Sequence, residues 1–222
     1  MADRADLRTY AREQTLLDTD DVADSILNTY LDRAVQIVAT RFKWPFLETS
    51  TTFDSVIDQH VYNMPDDWTY TESITESTKN VRLRELSAQV VRQRYCDDPP
   101  TGDARAFYVY GEKLYLVEKP TQALTYNHFY RKSPTLFADD DATPEWDSNH
   151  HLFLAEYVIQ QLWLREEDRQ QAGDAQQRFE EGLGDLALFY LDRAADEPMV
   201  WGEWPDRIVG GNQGNMPWLN GV

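Results

Sequence analysis

Between Val22 and Phe42 the apolar residues Val22, Ile26, Tyr30, Ala34, Ile37, Val38 and Phe42 recur at three- and four-residue steps. That spacing lines one face of an α-helix. Leu27 and Leu31 widen the stripe to roughly half the cylinder, at about 100° per residue. The preceding DTDD, residues 18–21, offers N-cap candidates and first-turn carboxylates. Trp44-Pro45 closes the helix, because proline pushes the residue before it out of the α region. A shorter helix is predicted over 3–16, with Leu7, Tyr10 and Ala11 on one side.

The middle of the chain has a different rhythm. TSTTFDSV (49–56) and QHVYNMP (59–65) are short β-branched and aromatic runs and predict a hairpin. RELSAQVVRQRY (84–95) reads as one brief helix, and DDPPTGD (97–103) as a loop. Gly111-Glu112 between ARAFYVY and KLYLVEKP marks a second hairpin over 104–120, and 123–134 supplies a further strand. From 149 the helical pattern returns. The stretch from Leu152 to Leu164 is apolar almost all round, which predicts a helix buried between neighbours. Gly173-Asp174 looks like a helix stop followed at once by a new N-cap, hence an antiparallel helical hairpin. In the second helix Ala175, Phe179, Leu183, Leu186, Ala187, Tyr190 and Ala194 share one face. Gly182 and Gly184 within it cost about 1 kcal/mol each against alanine, which points to a kink or a close helix contact.

Helices, β-section, helices and a final segment imply an α+β fold. The simplest architecture is a helical bundle from the N- and C-terminal helices, with a small antiparallel β-region inserted and an extended C-terminal tail. The boundaries follow the pattern: 1–47 for the N-terminal helices, 48–135 for the β insertion with its one short helix, 136–195 for the helical hairpin completing the bundle, and 196–222 for the tail. The β-section could instead cover the helices as one layer.

Charge narrows the function. With 39 acidic and 21 basic residues in 222, the formal charge is −18, so duplex DNA and anionic membranes would repel the chain at long range. The one cysteine, Cys96, cannot form an internal disulfide and fits a reducing compartment. No signal-peptide core and no run of apolar residues long enough to span a membrane is present, so a soluble protein made in a cytosol is expected.

Catalytic and cofactor chemistry finds no footing. Neither GxxxxGK[ST] nor GxSxG occurs, and the degenerate GxGxxA at 182–187 lies inside a helix. Adjacent His150 and His151 would point about 100° apart on a helix, so they read as polar residues at a helix start and not as a chelate. His60 and His128 are expected as partly buried strand histidines. ADDDATPEWD (138–147) fails the calcium-loop pattern and reads as an acidic solvated loop. No catalytic residue, metal ligand or cofactor is assigned, and no enzyme is expected. Two rivals of other classes stay open: a hydrolase using two carboxylates, and a binding module with its site in the β-section.

The segment WGEWPDRIVGGNQGNMPWLNGV (201–222) is too broken for a helix and too apolar for a solvated tail. Trp201, Trp204, Ile208, Val209, Met216, Pro217, Trp218 and Leu219 present apolar anchors on a backbone loosened by Gly210, Gly211 and Gly214. Such anchors suit a segment that orders on a partner surface. Folding back over its own helices is the other use.

LRTYAREQTLLDTDDVADSILNTYLDRAVQIVATRFKWPFLE, with its Trp44-Pro45-Phe46 turn, resembles the N-terminal portion of phage adaptor proteins, the head-to-tail connectors of tailed bacteriophages. YVYGEKLYLVEKPTQALTYNHFYRKSPTL, with Tyr130-Arg131-Lys132-Ser133-Pro134, is similar to the hairpin section of the same family, and Pro144-Glu145 and the histidine-led helix follow in order. The resemblance spans roughly residues 7–195. It implies a structural virion protein of the head-to-tail junction: a ring, of twelve subunits in that family, docked beneath the portal protein. Its partners would be the portal, neighbouring subunits and tail or nozzle proteins, with DNA passing through the channel unbound and no membrane. Another neck or tail-tube subunit is the near alternative. Acidic residues facing the lumen would keep phosphate from sticking.

Overall fold

The computed structural model describes residues 2–95 and 99–192, and they form a mixed α+β protein. α1 (Arg4–Thr15) starts at a capping box, in which the Asp3 carboxylate accepts from Asp6 N and the Asp6 side chain accepts from Asp3 N. Two more of its first-turn N–H groups donate to the carbonyls of Ala142 and Asp140, both at 3.1 Å. The acidic stretch of the 138–147 run is an exposed loop, as expected, and its backbone carbonyls also tether α1. Asp140 is held by the buried Arg8 at 2.8 Å, and Arg8 also donates to Asn28 of α2 at 3.0 Å.

α2 (Asp24–Arg41) begins later than the DTDD run implied. Its N-cap is Ala23, while the Asp18 carboxylate closes a tight turn by accepting from Asp20 and Asp21 N. Its buried face is Leu27, Leu31, Ala34, Val35 and Val38, with Ile26 and Phe42 exposed. The broad stripe had two candidate centres, and the neighbouring helices cover the Leu27–Leu31 side. A 3₁₀ turn at Pro45–Leu47 then leads into the β-section.

α4 (Phe153–Arg165) lies buried on nearly every side, packed against α1, α2 and α5 (Arg169–Ala187). Ala2 O sits 2.9 Å from His151 Nδ1 and Tyr10 Oη 3.2 Å from Glu156, so α1 and α4 run parallel. The helix break expected at Gly173-Asp174 falls earlier. Glu167 adopts φ 64°, and the Asp168 carboxylate caps Gln170 and Gln171 N. Two donors at one cap favour that start over a break at Gly173, which the helix runs straight through. A π turn, Leu188–Asp192, follows α5.

The β-section is two sheets, not one small antiparallel region. The first has order β1-β8-β3-β4, from β1 (Glu48–Asp54), β8 (Thr125–Lys132), β3 (Trp68–Glu76) and β4 (Val81–Arg82). The second has order β2-β7-β6-β5, from β2 (Val61–Asn63), β7 (Lys113–Leu116), β6 (Ala106–Tyr110) and β5 (Arg84–Glu85). The expected hairpin of 49–65 does not form. β1 pairs with β8 and β2 with β7, so the connection crosses from one sheet to the other. The β6–β7 hairpin forms as expected, with Gly111 and Glu112 both left-handed at φ 58° and 59°. β5 pairs parallel with β6, against the antiparallel expectation, and the short helix contracts to α3 (Ala88–Tyr95). The sheets bury Ile74 and Tyr126 against Tyr62, Phe107, Leu114 and Leu116, a core separate from that of the helices.

The close contact expected at the α5 glycines is real at one of them. A Cβ on Gly182 would lie 2.3 Å from the Phe153 Cβ, whereas one on Gly184 would meet nothing within 4 Å. Denaturant melts should therefore show Gly182→Ala destabilised by about 1–3 kcal/mol through overpacking. Gly184→Ala should gain about 1 kcal/mol in the same assay.

Candidate functional site

The two motifs that stand out in the sequence converge on one joint between the helices and the first sheet. The Trp44 indole is fully buried and donates to Val38 O at 2.6 Å, tying the turn after α2 to the last turns of that helix. Phe46 stacks on Trp44 with ring centroids 5.3 Å apart, and Trp146 lies 5.5 Å from Phe46. Tyr190 closes the cluster edge-on, 5.1 Å from Phe46 and 6.4 Å from Trp44. Its hydroxyl accepts from Asp147 N at 3.0 Å. Edge and stacked pairs of this kind add about 0.5–1.5 kcal/mol each beyond their burial.

The Tyr130–Pro134 motif supplies the other half. Tyr130 Oη donates to Asp67 at 2.9 Å and Ser133 N to Asp67 O at 2.6 Å, locking the end of β8 to the loop before β3. Arg131 bridges two strands, at 2.6 Å from Glu72 and 3.3 Å from Glu48. Lys132 Nζ pairs with Glu145 at 2.8 Å, and the Thr135 hydroxyl donates to the same carboxylate. Pro144-Glu145 thus serves as the anchor that fastens the sheet to the segment leading into α4.

On the surface of this joint is a groove of about 370 Å³, lined by Phe42, Lys43, Leu47, Tyr70, Arg131 and Pro134 among others. Phe42 and Tyr70 are 41% and 48% exposed, and the Lys43 ammonium lies 5.7 Å from the Tyr70 ring centroid. Aromatic faces and cationic edges suit contact with another protein; they place no nucleophile beside a base. The expected docking residues Trp201, Trp204, Ile208, Val209, Met216, Pro217, Trp218 and Leu219 lie outside the described residues.

Two of the four histidines, His128 and His151, are buried. His151 is buried, with its ring nitrogens 2.9 Å from Ala2 O and 3.0 Å from Trp146 O, a brace between the chain start and α4 more than a polar helix start. His150 packs against Phe189 at 5.2 Å. His60 is half-buried, and His128 is buried outright in β8. Among the described residues no group of three or more His, Cys, Asp and Glu could hold a metal ion, and no helix is long and apolar enough to cross a membrane.

A chain of hydrogen bonds crosses the first sheet: Trp68 Nε1 donates to Thr71 Oγ1, which lies 3.0 Å from His128 Nε2. Burial lowers the His128 pKa from its ordinary 6.5 to about 4. Between those values the unfolded chain takes up a proton and the folded one does not. Stability contributed by the neutral ring should therefore fall as pH drops through that window, by up to about 3 kcal/mol, and level off below it. Urea melts from pH 7 to 4 should show this slope, and His128→Gln should flatten it.

A family model described as the SU10 adaptor protein matches residues 2–202 of the chain. No curated protein matches it.

Proposed function

The chain belongs to the SU10 adaptor protein family, a family of phage head-to-tail adaptors, and on that premise we propose that it assembles as a ring beneath the portal. In this reading the ring, a dodecamer as the resemblance implies, extends the DNA channel and gives the tail its platform. The protein is structural, not an enzyme, and acts at the head-to-tail junction of the virion.

Its parts divide the work. The N- and C-terminal helices, 1–47 and 136–195, act as the bundle of the ring body, and 48–135 projects from it as the β insertion. Residues 196–222 dock on the portal or a neighbouring subunit through Trp201, Trp204 and Trp218, with Ile208, Val209, Met216, Pro217 and Leu219 as lesser anchors. Burying one tryptophan removes about 200 Å² from water, so three supply several kcal/mol against the cost of ordering the segment. Carboxylates facing the lumen keep DNA moving, because phosphate gains nothing from an anionic wall.

The observation that carries the reading is the family match over nearly the whole chain. The joint is consistent with it: the helices and the first sheet are fastened by Lys132–Glu145 and the Phe46–Tyr190 cluster, the firm seam that a structural subunit needs. The test is a pull-down on the portal encoded by the same genome, with and without residues 196–222, followed by negative-stain imaging. The intact chain should form rings on the portal and the truncated one should lose them. Intact, folded protein that fails to bind portal would reassign the chain to another neck or tail component. Rings that survive truncation would move the tryptophans to the monomer or to the next tail protein.

A further inference from the structure

α3 and the β5–β6 pair carry a groove whose chemistry opposes that of the chain as a whole. Its floor is Leu86, Val90, Val91 and Ala106, its rim is Arg84, Arg94 and Arg105, and its volume is about 380 Å³. Val90 is 52% exposed, an apolar side chain left open at the groove mouth. Six of the 21 basic residues, Lys79, Arg82, Arg84, Arg92, Arg94 and Arg105, fall within 79–105. Some are already engaged: Lys79 pairs with Asp103 at 3.0 Å, and the Arg92 guanidinium lies 3.9 Å from the Tyr110 ring centroid. Arg84 and Arg105 are exposed; Arg105 lies near enough to Asp103 to help lower its pKa, and its backbone N–H donates to Glu118 at 3.0 Å.

The complementary surface is on the same chain. Because α1 and α4 run parallel, their C-terminal ends share one end of the helical layer. There Leu16, 89% exposed, and Leu164, 48% exposed, stand with the exposed carboxylates Asp18, Asp20, Asp21, Glu166 and Glu167. An apolar knob with an anionic rim matches an apolar groove with a cationic rim. A charge of −18 leaves few other places where one copy attracts another. Nucleic acid fits less well, since phosphates use the arginines but not the exposed valine, and the rest of the chain repels them.

We propose that the Arg84–Arg105 groove receives the Leu16-centred acidic end of a second copy of the chain, head to tail. Such a contact uses two different surfaces of one protein, and its repetition closes a ring when the rotation allows. It rests on the ring reading above and names the surfaces that would make the ring. Opposed charges at the rim would speed and orient association, and the leucine in the groove would supply the water-excluded centre.

The test uses the full chain on its portal, with three variants: Arg84→Glu with Arg105→Glu, Asp20→Lys with Glu166→Lys, and all four together. None of these side chains has a hydrogen bond that the fold depends on, and circular dichroism with a thermal melt checks each. Each double variant should lower the fraction of portals carrying complete rings by about tenfold or more, since juxtaposed like charges cost several kcal/mol. The fourfold variant should recover them, because the swapped charges again attract; a folding defect would not be rescued so. Double variants that assemble like the unmodified chain, or a fourfold variant as poor as its parents, would overturn this contact and leave the adaptor reading standing. Groove variants that keep their rings but lose retention of a DNA duplex would show phosphate binding instead, and overturn it too. An unmodified chain that makes no ring on portal would overturn the adaptor reading, and this contact with it.

Discussion

The structure depends on burying α4. Phe153, Leu154, Ala155, Tyr157, Val158, Ile159 and Leu162 point in every direction around its axis, so one neighbour cannot cover it. Covering takes α1 and α2 from one end of the chain and α5 from the other. That requirement brings α1 and α2 to α5, with the strands from Glu48 to Lys132 lying between them in the sequence. The two larger cores follow, one lined by helices and the other by the facing sheets, with no buried residue in common; a small third cluster, Val91, Ala106 and Val117, lies against α3. The buried Glu156 is tolerated on α4 because Arg178 of α5 pairs with it at 2.8 Å and Tyr10 of α1 donates to it, so this buried acid also fixes how three helices meet.

Where side-chain period and backbone chemistry agree, the sequence was readable. The α1 helix, the β6–β7 hairpin at Gly111, β8 and the all-round burial of α4 were all legible on that ground. The failures have physical causes. β3 escaped notice because WTYTESITE is polar, and shifts in its register at Trp68/Tyr70 and Thr71/Ser73 break the alternation a strand is recognised by. Val61–Asn63 looked like the return strand of β1 because strand pairing is a tertiary choice that local sequence does not encode. Gly173 looked like a stop, but Asp168 with two backbone donors is the stronger cap. On α2, a stripe half the cylinder wide does not say which half will meet a partner.

The joint shows the same limit from the functional side. Trp44-Pro45-Phe46 and Tyr130–Pro134 were visible as motifs, yet nothing local joins them. Their meeting is created by Glu145 reaching Lys132, and by Trp146 and Tyr190 arriving at Phe46 from elements far along the chain. A mixed cluster of aromatic faces and ion pairs at the seam of two cores makes their relative placement rigid. For a subunit placed as proposed between portal and tail, rigidity at that seam would matter more than any single contact on its surface.

The measurement that bears most directly on this view is a cryo-electron microscopy reconstruction of the virion neck at side-chain resolution. The chain should appear as a closed ring against the portal, with the Lys132–Glu145 and Phe46–Tyr190 contacts intact in every subunit. A neck whose portal-facing ring is built from another protein would contradict it.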